Sequence, residues 1–330
     1  MKFKKEILIT GGAGFIGSHL TRYFVKKYSD YKITNIDALT YASNYDFIKG
    51  LEEFQNYNFE KIDINDYDRL DKLFKRNNFD YVLHLAAESH VDNSIENPVI
   101  FAKTNIIGTL NLLNLSKKYW KDLSSKIFYH ISTDEVYGSL TDTGYFKETT
   151  PYDPRSPYSA SKASSDHFVR AFYHTYKLPV IISNCSNNFG PNQNNEKLIP
   201  VVINSILNNN PIPIYGSGEN IRDWLYVEDH VMAIDQILAH GQAGETYNIG
   251  GGNELSNIEL IKKIILEMDK ILDRPEESSL SLIKFVEDRK GHDYRYAIDY
   301  SKLSSELDWH PQKDFKDAIK STIKWYIDNL

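Results

Sequence analysis

Short apolar runs alternate with helical patterns through the first 180 or so residues. The runs lie at 7–10, 33–37, 59–63, 81–86, 126–132 and 180–184. Several are nearly continuous in hydrophobic residues, the pattern of strands buried on both faces of a parallel sheet. Helical periodicity fills the spaces between them, as at 66–76, 99–120 and 158–177. Strand and helix alternating in this way predict β-α-β units, a parallel sheet and right-handed crossovers. The fold class expected is therefore α/β, a doubly wound parallel sheet.

The rhythm changes after residue 184. Asn, Pro and Gly become frequent, as in Asn187-Asn188-Phe189-Gly190-Pro191. Helices are still predicted at 199–207, 229–240, 258–269 and 315–328, but the pieces between them are short and no longer alternate cleanly. The expectation is a dinucleotide-type domain over 1–184 and a smaller C-terminal α/β substrate-binding lobe over 185–330. Some later residues, such as 229–250, could pack back on the first domain.

Composition narrows the classes. The 330 residues are 41% hydrophobic and 25% charged, ordinary for a globular enzyme. A net charge of -7 argues against a general nucleic-acid binder, which needs a basic face. No apolar run is long enough to span a bilayer, so no membrane role is expected. Met1-Lys2-Phe3-Lys4-Lys5 loosely mimics a basic signal region, but a short strand and glycines follow it. The lone Cys185 cannot form an internal disulfide, which makes a cytoplasmic location the expectation. His84, His90, His292 and His310 have no matched Cys or carboxylate spacing, so no metal site is expected.

The glycine-rich string Thr10-Gly11-Gly12-Ala13-Gly14-Phe15-Ile16-Gly17 directly follows the first strand and opens a helix. Gly11, Gly14 and Gly17 allow a tight turn and close approach of backbone to a pyrophosphate, whose charge the helix N-terminus favours. Asp37 ends the second strand, placed to accept from adenosine ribose hydroxyls and to repel a 2′-phosphate. The arrangement predicts a Rossmann-type sheet and favours NAD over NADP. Asp63 and Ile64, after the third strand, are expected to border the adenine, although an acid there is nearly as often a plain turn residue.

Tyr158 and Lys162 are four apart at the start of a predicted helix and share one face. A free phenol, with a pKa of about 10, is a poor base at neutral pH. A nearby ammonium and a cationic nicotinamide favour the phenolate, which can take a proton from a sugar hydroxyl as hydride leaves the same carbon. Thr133 is placed to bond the same hydroxyl. Taken alone, such a pair is as often an ordinary surface pair. With the glycine turn, it resembles the extended short-chain dehydrogenase/reductase superfamily.

Asp134 and Glu135 follow the fifth strand, where ligands of such sheets bind. One carboxyl can remove the proton made acidic by a neighbouring ketone while the other protonates a departing hydroxyl. An arbitrary Asp-Glu pair would be a solvated turn. Here Ser132-Thr133-Asp134-Glu135-Val136-Tyr137-Gly138 resembles the signature of the dTDP-glucose 4,6-dehydratase family. Further strings match across nearly the whole chain: His84 to Asp92, Ser156 to Lys162, Asn184 to Asn188, Glu196 to Pro200, Ile221 to His230 and Tyr247 to Gly251.

The resemblance implies conversion of dTDP-glucose to dTDP-4-keto-6-deoxyglucose by C4 oxidation, water loss across C5 and C6, and hydride return to C6. It makes Asp134 the acid, Glu135 the base and Tyr158 the redox base. It implies an NAD site that adds Phe15, Ile16, Ala38, Leu39, Thr40, Leu85, Ala86, Ala87, Thr104 and Asn188. For the nucleotide-sugar it implies Ser89, Asn187, Lys197, Leu198, Pro213, Ile214, Tyr215, Arg222, Asn257, Asp288, Arg289 and His292, with Arg222 and Arg289 suited to a diphosphate. It also implies a homodimer through the helices at 99–120 and 158–177. The string Asp288-Arg289-Lys290-Gly291-His292-Asp293 departs from the family at Lys290, where Pro is usual, and Ser43 and Phe189 stand where Gly and Tyr are common. A UDP-sugar 4-epimerase, another nucleotide-sugar dehydratase and an inactive NAD-binding scaffold are the rival readings.

Overall fold

The computed structural model describes residues 3–329; Met1, Lys2 and Leu330 lie outside the described residues. The first six strands are β1 (Lys5–Thr10), β2 (Tyr31–Asp37), β3 (Tyr57–Lys61), β4 (Tyr81–His84), β5 (Ile127–Thr133) and β6 (Val180–Cys185). They fall where the apolar runs predict them, within about two residues at each end. Ile7, Leu8 and Ile9 in β1 and Ile181 and Ile182 in β6 are buried, the expectation for strands covered on both faces.

Six more strands follow: β7 (Asn187–Phe189), β8 (Ile212–Tyr215), β9 (Ile221–Tyr226), β10 (Thr246–Ile249), β11 (Glu254–Ser256) and β12 (Ile283–Val286). The main sheet has the order β3-β2-β1-β4-β5-β6-β10, with every neighbouring pair parallel. Chain order runs outward in opposite directions from β1 and β4, so a crevice opens beyond their carboxyl ends. Pairing of Thr10 with His84 and of Thr133 with Cys185 brings those ends level.

The seventh strand, β10, comes from beyond residue 184. So does the helix Val227–His240, whose Val231, Ile234 and Ile237 share a core with Ile7, Ile9 and Phe24. Leu303, Leu307 and Trp309 join the same core, a return of the chain that periodicity does not reveal. Asp235 accepts from Tyr28 at 2.6 Å and pairs with Lys27, pinning this helix to Phe15–Lys27.

The remaining segments form a second core. The strands β7, β9 and β11 make one small sheet, and β8 pairs with β12. Helices Leu198–Leu207, Asn257–Ile271 and Phe315–Asn329 close around them through Ile203, Leu260, Ile264 and Ile323. Each such apolar side chain contributes roughly 1.5–3 kcal/mol on burial.

Two local features matter for the site. The helix Pro157–Tyr176 begins with a reciprocal cap: Ser156 Oγ accepts from the Ser159 N–H at 3.0 Å, and Ser159 Oγ accepts from the Ser156 N–H at 3.0 Å. The long helical run from Pro98 to Tyr119 is widened to π geometry over Ala102–Gly108. Such bulges re-aim side chains and recur at functional sites. Here the bulge carries Thr104 to the crevice wall and Asn105 into the buried layer behind it.

Candidate active site

A cleft of about 530 Å³ lies over the carboxyl ends of β1, β4, β5 and β6. Its first wall is the glycine turn. Gly11 adopts a left-handed φ of +72°, and a Cβ there would come within 2.6 Å of the Ala86 nitrogen. A Cβ on Gly17 would stand 2.1 Å from the Gly11 carbonyl oxygen, so neither position admits a larger residue without moving backbone. Gly14 caps Phe15–Lys27 with no side-chain hydrogen bond, leaving N–H groups at the helix start for an anionic ligand.

Asp37 uses both carboxylate oxygens on neighbouring groups of the protein. One accepts from the Ala13 N–H at 2.9 Å; the other accepts from the Leu39 N–H and the Ser43 hydroxyl at 2.8 Å each. Asp37 therefore ties the glycine turn to the loop after β2 while facing the cleft. Phe15, Ile16, Ala38, Thr40, Asp63 and Ile64 line the same wall, with Leu85, Ala86, Ala87, Thr104 and Asn188. Leu39 does not: at a φ of +56° its side chain packs against the core beneath.

Thr133, Asp134, Glu135, Tyr158 and Lys162 all face this cleft. Thr133 ends β5, and the chain turns at once into the 3-10 segment Asp134–Tyr137. Thr133 Oγ1 accepts from the Glu135 N–H and donates to Asp134 Oδ1, both at 3.3 Å. Phe101 meets the Tyr158 ring edge-on at 6.3 Å. Lys162 is buried and donates from Nζ to the Ile131 carbonyl at 2.8 Å, not to the Tyr158 hydroxyl.

Electrostatics separates the acidic pair. Burial, then the neighbouring Glu135 charge, pushes the Asp134 carboxyl far above its usual range. Burial also raises Glu135, but Arg222, Lys197 and Arg289 oppose the rise. Two carboxyls driven apart in this way suit one acid and one base. Tyr158 is half-buried. Burial, followed by the Glu135 charge, raises its phenol well above 10, and Thr133 opposes this only in part. A positive charge brought beside the phenol would oppose this rise.

The residues expected at the nucleotide-sugar divide into two groups. Ser89, Asn187 and Lys197 line the cleft with Thr133, and Lys197 Nζ donates to the Ser89 carbonyl at 3.2 Å. Leu198, Pro213, Ile214, Tyr215, Arg222, Asn257, Asp288, Arg289 and His292 lie beyond that wall, in the second lobe and its loops. Of these, Ile214 is buried in the second core, against which Leu198 packs. Arg222 is buried against the Tyr296 ring at 4.2 Å and donates to the carbonyls of Ile221, Asp293 and Tyr294. Arg289 pairs with Asp92 at 2.5 Å over the ring of Tyr215, and His292 Nδ1 meets Asp288 at 2.7 Å.

Sequence reasoning missed several residues of the floor. Asn105 donates to Ser161 Oγ at 2.8 Å and exchanges hydrogen bonds with the backbone of Glu88. His130 and Asp166 are fully buried beside Lys162. The signal for Asp166 was present: an acid four residues after Lys162, continuing the face that starts at Tyr158.

The family model for GDP-mannose 4,6 dehydratase matches residues 8–322. A probable dTDP-glucose 4,6-dehydratase of Sinorhizobium fredii (strain NBRC 101917 / NGR234) is 51% identical over 98% of this chain and 93% of its own length. The chain belongs to the dTDP-glucose 4,6-dehydratase family. Among solved structures, the dTDP-glucose 4,6-dehydratase of Bacillus anthracis str. Ames in complex with NAD superposes with a TM-score of 0.87 at 44% identity, covering 98% of this chain and 97% of that one. DesIV, the dTDP-glucose 4,6-dehydratase of Streptomyces venezuelae, crystallised with NAD, gives 0.90 at 40% identity with the same coverage.

The departures from the dTDP-glucose 4,6-dehydratase pattern have local accounts. Ser43 adds the hydroxyl that bonds Asp37. Phe189 is buried among Trp224, Tyr226 and Phe315, where a phenol oxygen would need a partner. Lys290 is exposed. No group of three or more His, Cys, Asp or Glu gathers as a metal site among the described residues. None of the described helices is long and apolar enough to cross a membrane.

Proposed function

We propose that the chain is an NAD-dependent dTDP-glucose 4,6-dehydratase, a hydro-lyase that forms dTDP-4-keto-6-deoxyglucose. The observation that carries the reading is the position of Asp134 and Glu135 on the same cleft wall as Tyr158, next to a glycine turn that fits a dinucleotide. An epimerase needs the tyrosine and the turn but has no use for the acidic pair. NAD, when bound, takes the C4 hydride and gives it back at C6.

Tyr158 takes the C4 hydroxyl proton, with Thr133 bonded to the same oxygen. Lys162, together with the positive charge of the oxidised cofactor, lowers the cost of the phenolate. The C4 ketone acidifies the C5 proton, which Glu135 removes. Asp134, held protonated by burial, donates to the departing C6 oxygen as water. Ser89, Asn187 and Lys197 would hold the sugar side, and Arg289 with Tyr215 and His292 the nucleotide side.

The cofactor unit in this reading is residues 1–184 with 229–250 and the stretch from Leu303 to Trp309 added, and 185–330 otherwise supplies the substrate lobe. Exposed Val99, Ile107, Phe168 and Tyr176, on the helices at 98–119 and 157–176, fit a homodimer face, which light scattering of the purified chain would test. A single buried thiol suits a reducing cytoplasm.

Product analysis decides the matter. Incubation with dTDP-glucose should give a product lighter by one water, with a C4 ketone and a C6 methyl by NMR, and no net NADH. A galactose-type product with the C6 oxygen retained would instead establish an epimerase.

A further inference from the structure

Tyr158, Lys162 and Asp166 occupy successive turns of one face of the helix Pro157–Tyr176. Lys162 and Asp166 are both buried, at 4% and 0% exposure. Between them stands His130 of β5. Its Nε2 lies 3.2 Å from one Asp166 oxygen and 3.5 Å from Lys162 Nζ. The other Asp166 oxygen accepts from the hydroxyls of Ser132 and Tyr152, each at 2.9 Å. This carboxylate is therefore held through one oxygen, and its other oxygen faces, across the imidazole, the ammonium in the cleft floor.

We propose that Asp166 is a positioning residue for the reaction: the buried counter-ion which, across His130, keeps Lys162 charged and aimed at the cofactor side of Tyr158. A lone ammonium buried this deeply would tend to lose its proton. Arg170 is nearby but meets the network through Tyr152, to which it donates at 2.9 Å. The groups facing Lys162 from the packed strands are His84 of β4, His130 of β5 and Cys185 of β6. Burial keeps both imidazoles neutral and the thiol protonated, so none of them replaces the carboxylate. From the turn after β5, the Glu135 charge acts on Tyr158 in the opposite sense. The Asp166 carboxyl is held below its usual range by His130, Lys162 and Ser132, and it raises Lys162 against the effect of burial.

The inference rests on Tyr158 as the redox base, and its test separates the two ideas. The NAD-bound enzyme is titrated without substrate by ultraviolet tyrosinate absorbance, with a Tyr158→Phe background subtracted. In Asp166→Asn, Tyr158 should ionise about one pH unit higher than in the wild type. The acid limb of the kcat/KM profile with dTDP-glucose should move by the same amount, giving an about 10-fold loss at neutral pH. Asp166→Glu should restore most of both, and His130→Gln should shift both less in the same direction.

If Asp166→Asn folds poorly, His130→Gln carries the measurement. A shifted tyrosine titration in an enzyme that fails to dehydrate dTDP-glucose would support this inference while overturning the proposed reaction. An unmoved titration and an unmoved acid limb in both variants, with only a lower melting temperature, would overturn it.

Discussion

The floor and the rim of the cleft use charged residues in opposite ways. At the floor Asp134, Lys162 and Asp166 are buried, and their polar neighbours are supplied by strands and by one capped helix. At the rim Tyr215 and Asp288 are exposed, and Arg289 and His292 are bonded to Asp92 and Asp288. Burial strengthens every electrostatic interaction of the floor and raises the cost of moving any part of it. Rim pairs are screened by water, so a diphosphate can take them over cheaply. Substitutions at the floor should alter rate and pH dependence, whereas those at the rim should alter KM.

Glu135→Gln should give the largest effect. Loss of the C5 base should slow dehydration by about 10²–10⁴-fold with NAD still bound, read from product formation and cofactor absorbance. Unchanged turnover would remove Glu135 from the mechanism and undo the contrast between floor and rim.

Acidification tests the floor as a whole. His84, His130 and His230 are buried and held neutral, with His130 lowered to about 4 and His230 to about 3. The unfolded chain binds protons at these residues below about pH 6.5, and the fold does not. Their contribution to stability is therefore complete above about 6.5 and is lost as pH falls towards 4, by up to about 1.4 kcal/mol per histidine per pH unit. A melting temperature that stays level across this window would show that the histidines charge in place.

Gly17→Ala should cost about 1–3 kcal/mol of stability, because the new Cβ meets backbone and no flexible side chain can yield. It should also abolish binding of added NAD. Thermal melts and the cofactor absorbance report on the two effects separately.

The rim should respond least. Arg289→Ala, which removes a charged donor, should raise the KM for dTDP-glucose about 10-fold with kcat little changed. Asp92→Asn frees Arg289 from its ion pair and should lower KM by no more than about 5-fold, the size of a partly exposed pair. A fall in kcat in either variant would place the rim inside the chemistry.

Much of the candidate catalytic wall was legible in the sequence because its signals are local. A glycine turn behind a strand, an acid after the next strand and a tyrosine four residues before a lysine each act within one turn or one strand end. Leu39, expected at the cofactor, has a left-handed backbone that turns its side chain onto the core, which residue type alone does not disclose. Arg222 was expected to face a diphosphate; it lies on Tyr296, with its donors on three backbone carbonyls.

The sequence by itself determined the six leading strands, the α/β class and the candidate reacting groups of the cleft, since periodicity and short spacings are properties of neighbouring residues. Tertiary structure decided that β10 completes the main sheet, that Leu303 and Trp309 return to the first core, and that His130 and Asp166 stand behind Lys162. It also decided what surrounds the Tyr158 phenol, which burial and the Glu135 charge push above its usual range, because those neighbours come from elements far apart in the chain.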